Sequence, residues 1–379
     1  MKHTSLAGWR SVALGEVCAI INGGTPKSQV KAYWDGEVQW LTPKDMGQMQ
    51  GREIGETPRT ITQAGLDNSS ARLVPPQSVI LSTRAPIGHL AVNTVSMAFN
   101  QGCRGLVPSD ALDHLYLYHF LSASKELLQS LGTGTTFKEL SSGNLKQVQI
   151  PLPPLEEQRR VVAILDEAFE GLACARTNAE ANLQNARELF ESLRFAMLSE
   201  RTEGWEIRQL ADCFRLKSGE NLTAKEMVPG PFPVYGGNGI AGTHQESNLS
   251  GDNVIIGRVG ALCGNARYID HDIWLTDNAF KIVGYNFDFD YKFLAYLLNF
   301  KNLRSLARQS AQPVISNSSL ANLELIFPPS VSTQAELANK LAIAEEALDI
   351  VRRDYEGKIQ DLDDLRQSIL QKAFAGELR

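Results

Sequence analysis

LDEAFEGLACARTNAEANLQNARELFESLRFAM, residues 165–197, gives the clearest indication of the fold in this 379-residue chain. Two rows of residues recur at intervals of seven, one at positions 165, 172, 179, 186 and 193 and the other at 169, 176, 183, 190 and 197. Arg176 is the only charged residue in either row. A heptad repeat of this kind indicates a long helix whose apolar stripe packs against another helix.

The C-terminal stretch repeats this pattern. Positions 337, 341, 344, 348, 351, 355, 362, 365 and 369 are apolar or aromatic, and Lys358 and Lys372 are the breaks. Each helix follows a Pro-Pro pair, which ends the preceding strand because proline lacks the N–H of a strand ladder. The two helices form either an intramolecular antiparallel pair or a homodimeric coiled coil. The residues predicted to pack in the helix pair are Leu165, Leu172, Leu183, Leu193, Leu341, Leu348, Leu362 and Ile369.

Both helices belong to a long internal repeat, which favours intramolecular pairing. The matching segments are Trp9–Leu14 with Trp205–Leu210, Val79–Leu81 with Val254–Ile256, and Leu145–Pro154 with Leu320–Pro329. We therefore predict an α+β fold with two mixed α/β domains, separated by two long antiparallel helices that form an intramolecular coiled coil with pseudo-twofold symmetry. The predicted boundaries are 1–154 and 204–330 for the domains and 155–203 and 331–379 for the helices. Each domain should also contain one shorter amphipathic helix, at Leu115–Leu131 and Tyr291–Arg308.

Composition places the chain among ordinary soluble globular proteins, with 43% hydrophobic and 21% charged residues. No apolar run is long enough for a membrane span, and the N-terminus lacks the apolar stretch of a signal peptide. The five cysteines form no CxxC pair, which indicates a reducing cytoplasm. We expect a cytoplasmic protein that makes no membrane contact.

The net charge of −6 is unevenly distributed. Residues 155–203 carry 10 acidic and 6 basic side chains, and residues 331–379 carry 10 and 7. The two helices therefore account for −7, and the remainder of the chain is +1. The outer faces of the helices are either solvated or a docking surface for partners, and the globular domains are not acidic.

Motifs for catalysis are missing from the sequence. None of the three Pro-Pro pairs fits the Asn/Asp-Pro-Pro-aromatic element of a DNA methyltransferase, and no Gly-Lys-Ser/Thr follows Gly132-Thr-Gly134. Asp290-Tyr291-Lys292 is interpreted as a solvated helix cap rather than part of a nuclease motif, and the six histidines lack metal-ligand spacing. We predict no catalytic residue, no metal site and no cofactor bound by this chain.

The junctions between domains and helices resemble a known family. Ile150-Pro-Leu-Pro-Pro-Leu-Glu-Glu-Gln158, the closing segment Leu365–Leu378 and Pro233-Val-Tyr-Gly-Gly-Asn238 are similar to elements of the specificity subunits of type I restriction–modification systems. The likeness covers essentially the whole chain. The second junction departs from the pattern, since Gln334 comes one residue later and the acidic pair is missing.

This resemblance implies a DNA-recognition subunit whose two target-recognition domains read a bipartite, asymmetric target in double-stranded DNA. The chain itself would perform no catalysis. Two methyltransferase subunits would bind S-adenosylmethionine, and motor-nuclease subunits would use ATP and Mg. Two alternatives stay open: a coiled-coil scaffold that binds no DNA, and a recognition module of another methyltransferase-containing system.

Loop residues with side chains suited to DNA contacts are the candidate readers, since Arg, Lys, Asn and Gln bind base edges and phosphates. In the first domain these are Lys27, Lys44, Arg59, Arg84, Arg104 and Lys138. In the second they are Lys217, Asn238, Arg258, Arg267, Lys281 and Gln312. The segments 135–138 and 312–314 occupy equivalent places in the repeat, just before the last strand of each domain.

Overall fold

The computed structural model describes residues 9–134, 138–199, 203–308 and 313–378. It divides into two compact units. Unit 1 comprises Met1–Asn178 with Lys358–Arg379, and unit 2 comprises Ala179–Gly357. Each unit contains one mixed α/β domain together with segments of two long helices.

Unit 1 holds three sheets. Its strands are β1 Arg10–Ala13, β2 Cys18–Asn22, β3 Trp34–Leu41, β4 Glu53–Ile54, β5 Thr60–Ile61, β6 Val79–Thr83, β7 Ile87–Asn93, β8 Met97–Phe99, β9 Cys103–Pro108 and β10 Gln149–Leu152. Its short helices are α1 Leu14–Val17, α2 Pro43–Met46, α3 Gln63–Asp67, α4 His114–Ala123, α5 Lys125–Ser130 and α6 Ser142–Lys146, with a 3₁₀ turn at Lys31–Tyr33. The sheet orders are β2-β9-β6-β7-β4, β5-β3-β8 and β1-β10. The first long helix, α7, runs Leu155–Ser199.

Unit 2 repeats this plan with fewer strands. Its strands are β11 Glu206–Gln209, β12 Arg215–Ser218, β13 Phe232–Gly236, β14 Gly239–His244, β15 Asn253–Gly257, β16 Ala266–Ile269, β17 Trp274–Leu275, β18 Ala279–Val283 and β19 Glu324–Phe327. Its short helices are α8 Leu210–Cys213, α9 Tyr291–Phe300 and α10 Asn317–Leu320, with a 3₁₀ turn at Leu303–Leu306. The sheet orders are β12-β18-β15-β16, β14-β13-β17 and β11-β19. The second long helix, α11, runs Val331–Ala375.

The two units share one topology, so the predicted repeat is confirmed. Strands β2-β9-β6-β7 of unit 1 correspond in order to β12-β18-β15-β16 of unit 2. A parallel pair lies beside each sheet, β3 with β8 and β13 with β17. In each domain the first strand pairs antiparallel with the last.

The helix pair is antiparallel within each unit, as predicted. In unit 1, Leu165 near the start of α7 shares a core with Leu370 and Ala373 near the end of α11. In unit 2, Leu198 at the end of α7 shares a core with Leu341 near the start of α11. Burying this apolar stripe stabilises the pair by about 25 cal/mol for each Å² removed from water.

The predicted packing residues of the helix pair all lie on covered positions. Those that are buried are Leu165, Leu183 and Leu341, and those that are partly buried are Leu172, Leu193, Leu348, Leu362 and Ile369. Arg176 interrupts the stripe and donates a hydrogen bond to Asp363 at 2.7 Å. The prediction that the apolar stripe includes Leu365 is wrong, because this residue is 48% exposed. Its neighbour Arg366 covers Phe169 instead, with the guanidinium carbon 4.5 Å from the ring centre.

The shorter helices are broken rather than continuous, so the predictions of Leu115–Leu131 and Tyr291–Arg308 as single helices are wrong. In unit 1, α4 ends at the cap Ser124, after which α5 begins. In unit 2, α9 ends before Asn302, whose φ of 48° is left-handed and stops an α-helix. Asp290 caps α9 by accepting from the Phe293 N–H at 2.8 Å.

A buried glutamine ties each domain to the long helix that follows it. Gln158 accepts from the Asp113 N–H at 2.8 Å and donates to the Ala111 and Pro153 carbonyls at 3.0 and 2.8 Å. In unit 2 the equivalent bonds join Gln334 to the Asp290 N–H at 2.9 Å and to the carbonyls of Asp288 and Pro328 at 3.3 and 2.8 Å. The two junctions are therefore equivalent despite the one-residue offset in sequence.

Within the part of the chain that the structure describes, no helix combines the length and apolarity needed to cross a membrane.

Candidate nucleic-acid interface

The loops of unit 1 meet at one edge of its five-stranded sheet. Asn22 at the end of β2 lies opposite Arg104 at the start of β9, and Arg104 lies opposite Leu81 near the end of β6. Arg84 follows β6 and bridges to Glu139. Antiparallel neighbours thus bring two predicted residues, Arg84 and Arg104, to the same edge, with exposed Lys138 next to Glu139.

Arg104 is committed to contacts inside unit 1. Its Nε donates to Ser142 at 3.1 Å, its Nη1 donates to the Gln101 carbonyl at 2.9 Å, and its Nη2 pairs with Glu139 at 3.3 Å. The side chain is 11% exposed. This arginine therefore shapes the edge, and the exposed cations around it are better placed to contact a ligand.

Two tryptophans hold the loop that carries Lys27. The indole N–H of Trp40 donates to the Gly24 carbonyl at 2.9 Å, and that of Trp34 donates to the Lys27 carbonyl at 3.3 Å. The Arg59 guanidinium lies 4.1 Å from the Trp34 ring centre and 5.2 Å from that of Trp40. A cation stacked in this way keeps its fork of N–H donors in one orientation.

Glycine allows this loop to approach the same edge. A Cβ at Gly23 would lie 1.9 Å from the Asn100 carbonyl oxygen, so only glycine fits there. Thr25 in the same loop hydrogen-bonds Gln101. Exposed Lys44 lies on α2, whose Pro43 borders Gly102. The loops of all six unit 1 candidates therefore converge around the sheet edge.

Unit 2 builds the corresponding edge with different side chains. Arg258 follows β15 as Arg84 follows β6, and its Nη1 donates to Ser218 at 3.4 Å. Asn238 in the hairpin turn accepts from the Leu262 N–H at 3.0 Å and so shapes the Arg258 loop. Gly260 has a φ of 98° and presses against the Asn238 side chain.

The segment before the last strand reaches this edge in both units. Val314 bridges to Val259 and Arg308 in unit 2, as Glu139 bridges to Arg84 and Thr133 in unit 1. Glu139, directly after the first segment, and Val314, in the second, thus make matching bridges, and residues 135–137 of the first segment lie outside the described residues. Gln312 lies outside the described residues.

The other three candidates of unit 2 lie on a sheet face rather than in the loops. Lys217 and Lys281 are opposite each other on β12 and β18, and Arg267 lies on β16. Burial lowers the pKa of the Arg267 guanidinium, and its Nη1 has no hydrogen-bond partner.

Sequence reasoning missed the Trp34–Trp40 pair and the Ser142 contact. The tryptophans carried a usable signal, since two indoles six residues apart in a strand-like segment can stack a cation, and Arg59 directly precedes β5. No sequence signal pointed to Ser142, because its hydrogen-bond partner Arg104 is 38 residues away.

Two cysteine thiols of unit 1 lie in the protein interior. Burial raises the pKa of both Cys18 and Cys103 to about 12, which keeps them protonated. Among the described residues, no group of three His, Cys, Asp or Glu side chains is arranged to hold a metal ion.

Comparison with known proteins identifies the relatives of this repeat. The family model described as the type I restriction modification DNA specificity domain matches residues 7–181 and 202–356. The EcoprrI specificity subunit of Escherichia coli is 28% identical over 348 residues, covering 86% of this chain and 84% of that protein. The MjaIX specificity subunit of Methanocaldococcus jannaschii is 29% identical over 235 residues, covering 58% of this chain. That match spans 54%, about half, of the relative's length.

Solved structures share the fold at low identity. A chain from a study of complex assembly and conformational transition of the type I R-M system has a TM-score of 0.80 at 18% identity, over 98% of this chain and 99% of that one. The HsdS subunit from Thermoanaerobacter tengcongensis has a TM-score of 0.61 at 18% identity, with full coverage of both chains. Since the family model matches both copies of the repeat, the chain belongs to the family of type I restriction modification DNA specificity domains.

Proposed function

We propose that the chain reads a bipartite, asymmetric target in double-stranded DNA, with one half-site for the loop edge of each unit. The supporting observation is that one sheet edge is built twice with different side chains. Unit 1 presents Lys27, Arg59 and Arg84 there, whereas unit 2 presents Asn238 and Arg258. Different side chains in equivalent places bind different bases, so the two half-sites should differ.

The long helices would set the distance between the half-sites. Each has 45 residues, which corresponds to about 67 Å at ~1.5 Å per residue. Half-sites read from one face of B-DNA lie roughly 34–36 Å apart, one helical turn. Helices of this length are long enough to hold two readers at that spacing, and the bases between would be spanned without being read.

Partner subunits would supply the chemistry. We propose two methyltransferase subunits that bind S-adenosylmethionine and methylate adenine, and motor-nuclease subunits that use ATP and Mg, all in the cytoplasm. Exposed apolar side chains on the helices support docking of a partner there. Ile343 and Ile350, 69% and 54% exposed, lie seven residues apart and so share one face of α11.

The direct test is to map methylated adenines in a host that expresses this chain with its methyltransferase partner. The expected motif has two unlike blocks of specified bases separated by a fixed number of unspecified ones. A continuous motif, or two identical blocks, would contradict the proposal. Methylation that does not change when the chain is deleted would favour the scaffold alternative.

A further inference from the structure

One row of side chains crosses the four-stranded sheet of unit 2 and carries three positive charges. Lys217 lies opposite Lys281, Lys281 lies opposite Ile255, and Ile255 lies opposite Arg267. Directly opposed residues on neighbouring strands point to the same face of a sheet. All four side chains therefore share one face.

The other face of this sheet is the main core of unit 2. Leu216, Ile282 and Phe280, which alternate with the row on β12 and β18, are buried there together with residues of α9. On the charged face, Ile255 belongs to a small cluster with Tyr235. That cluster covers one end of the row, and Lys217 at the other end is exposed.

Unit 1 shows that the fold does not need these charges. In its sheet the same register positions hold Ile21, Gly105, Ile80 and Ala91. Ile80 and Ala91 are buried in an apolar core, and Ile21 packs against it. Three positions of the row are uncharged in one copy of the domain and basic in the other.

The three charges are costly where they are. Like charges directly opposite each other on neighbouring strands are destabilising. Arg267 is half-buried at the covered end of the row, and its Nη1 is buried without a hydrogen-bond partner, which costs free energy and keeps this atom away from ligands. Within residues 9–134, 138–199, 203–308 and 313–378, none of the three pairs with a carboxylate. A bound anion would supply a partner for the two lysines.

We infer that Lys217 and Lys281, at the open end of the row, bind phosphate groups of the DNA backbone. The two lysines lie opposite each other on neighbouring strands, about 4.8 Å apart, and their flexible side chains can reach adjacent phosphates of one DNA strand. This inference rests on the proposed DNA-binding function. Unit 2 then has two separate DNA contacts. The loop edge reads bases, and the row fixes the position of the DNA backbone.

The test compares two double substitutions in the full-length chain. Lys217→Gln with Lys281→Gln removes two charges from the row. Lys340→Gln with Lys372→Gln removes two exposed charges from α11 as the control. Binding to a fluorescent duplex of arbitrary sequence is measured by anisotropy between about 50 and 200 mM salt, the range over which phosphate contacts dominate the salt dependence.

We expect the row variant to flatten the slope of log K against log salt by about 1.8, since each phosphate contact contributes ~0.9. Its affinity near 0.1 M salt should fall at least about tenfold, while the control keeps the wild-type slope. The melting temperature of the row variant should stay the same or rise, because the opposed charges are gone. Lys217→Ile, which installs the residue of unit 1, provides a second variant if the double change does not fold.

A row variant with the slope of the control would overturn the inference, provided the wild-type chain binds the duplex. If the wild-type chain binds no duplex, the result contradicts the proposed function. It then also contradicts DNA as the source of the bound phosphate. Inorganic phosphate is the second arm of the test. If it raises the melting temperature of the wild type but not of the row variant, while the salt slopes agree, the site takes free phosphate and the DNA assignment is wrong.

Discussion

The side-chain oxygen of Gln158 accepts a hydrogen bond from the Asp113 N–H at 2.8 Å, and this joins the start of α7 to the start of α4. Gln334 makes the same bond to Asp290 at 2.9 Å in unit 2. Both glutamines are fully buried, and both aspartates cap the helix that follows them. Each domain is thus fixed to its long helix by one fully bonded amide.

Replacing Gln158 with leucine should lower the free energy of unfolding by about 2–4 kcal/mol, because it leaves buried backbone groups without partners. Gln334→Leu should have a similar effect. Urea denaturation followed by circular dichroism measures the change. Gln184→Leu on the exposed surface of α7 is the matched control and should change stability by less than about 0.5 kcal/mol. Equal effects of Gln158→Leu and the control would show that the junction bonds contribute little.

A buried histidine makes the stability of unit 1 depend on pH. Burial lowers the pKa of His119, although its Nε2 lies 3.0 Å from Asp166, which is also bound by Arg52. The folded protein therefore binds this proton less readily than the unfolded chain. The resulting stability is complete above the ordinary histidine pKa of about 6.5 and is lost as the pH falls through the lower folded value.

We expect the melting temperature to fall between pH 7 and pH 5 in the wild type, and to fall less steeply in His119→Gln. Differential scanning calorimetry over that range tests this, with His114→Gln, a change at the first residue of α4, as the control. Parallel pH profiles for the wild type and His119→Gln would contradict the assignment. Asp166 affects the stability of unit 1 at lower pH. Burial alone would raise its pKa, but the hydrogen bonds from Arg52 and His119 lower the pKa overall.

Arg59 should depend on Trp34 for its contribution to DNA binding. Arg59→Ala and Trp34→Leu should each weaken binding to the methylated target, and the double variant should be only slightly weaker than either one. The expected coupling is about 0.5–1 kcal/mol, typical of an exposed cation–aromatic contact. Binding isotherms for all four proteins give this value. Strictly additive effects would mean that the stack does not orient the guanidinium.

The heptad rows allowed the helices and their pairing to be predicted, because a period of seven depends only on local sequence. The same pattern misplaced Leu365, since the helix surface there is covered by Arg366 over Phe169, a contact between distant segments. The breaks at Ser124 and Asn302 were also missed. Neither residue is a strong helix breaker, and the domain around it determines where the helix stops.

The candidate site was predicted by residue type and not by arrangement. Lys217, Lys281 and Arg267 were chosen one at a time, and only strand register shows that they form a row. Arg104 was chosen for its charge, yet it is held by Ser142 and Glu139. Register and long-range ion pairs depend on the folded chain, so a single sequence does not contain them in readable form.

Lengthening both long helices should change the spacing of the target. Four residues inserted near Asn178 in α7, with four near Gly357 in α11, add about 6 Å, or roughly two base pairs at ~3.4 Å each. Methylated-adenine mapping should then show the same two blocks with a gap about two bases longer. Insertion into one helix alone serves as the control. It should abolish methylation, because the two helices then differ in length and no longer pair correctly. An unchanged gap in the variant with both insertions would show that the helices do not set the distance between the half-sites.

If each unit reads its own half of a split target, two matched substitutions, one in each unit, should have separate effects on the two halves. Arg84 and Arg258 hold equivalent places after β6 and β15. Methylated adenines should be mapped genome-wide for Arg84→Ala and Arg258→Ala in complex with the methyltransferase partner. Each variant should relax bases in one block only, and the two variants in opposite blocks, with a loss of about 1–3 kcal/mol for the affected base. Relaxation of both blocks by either variant, or of the same block by both, would contradict it.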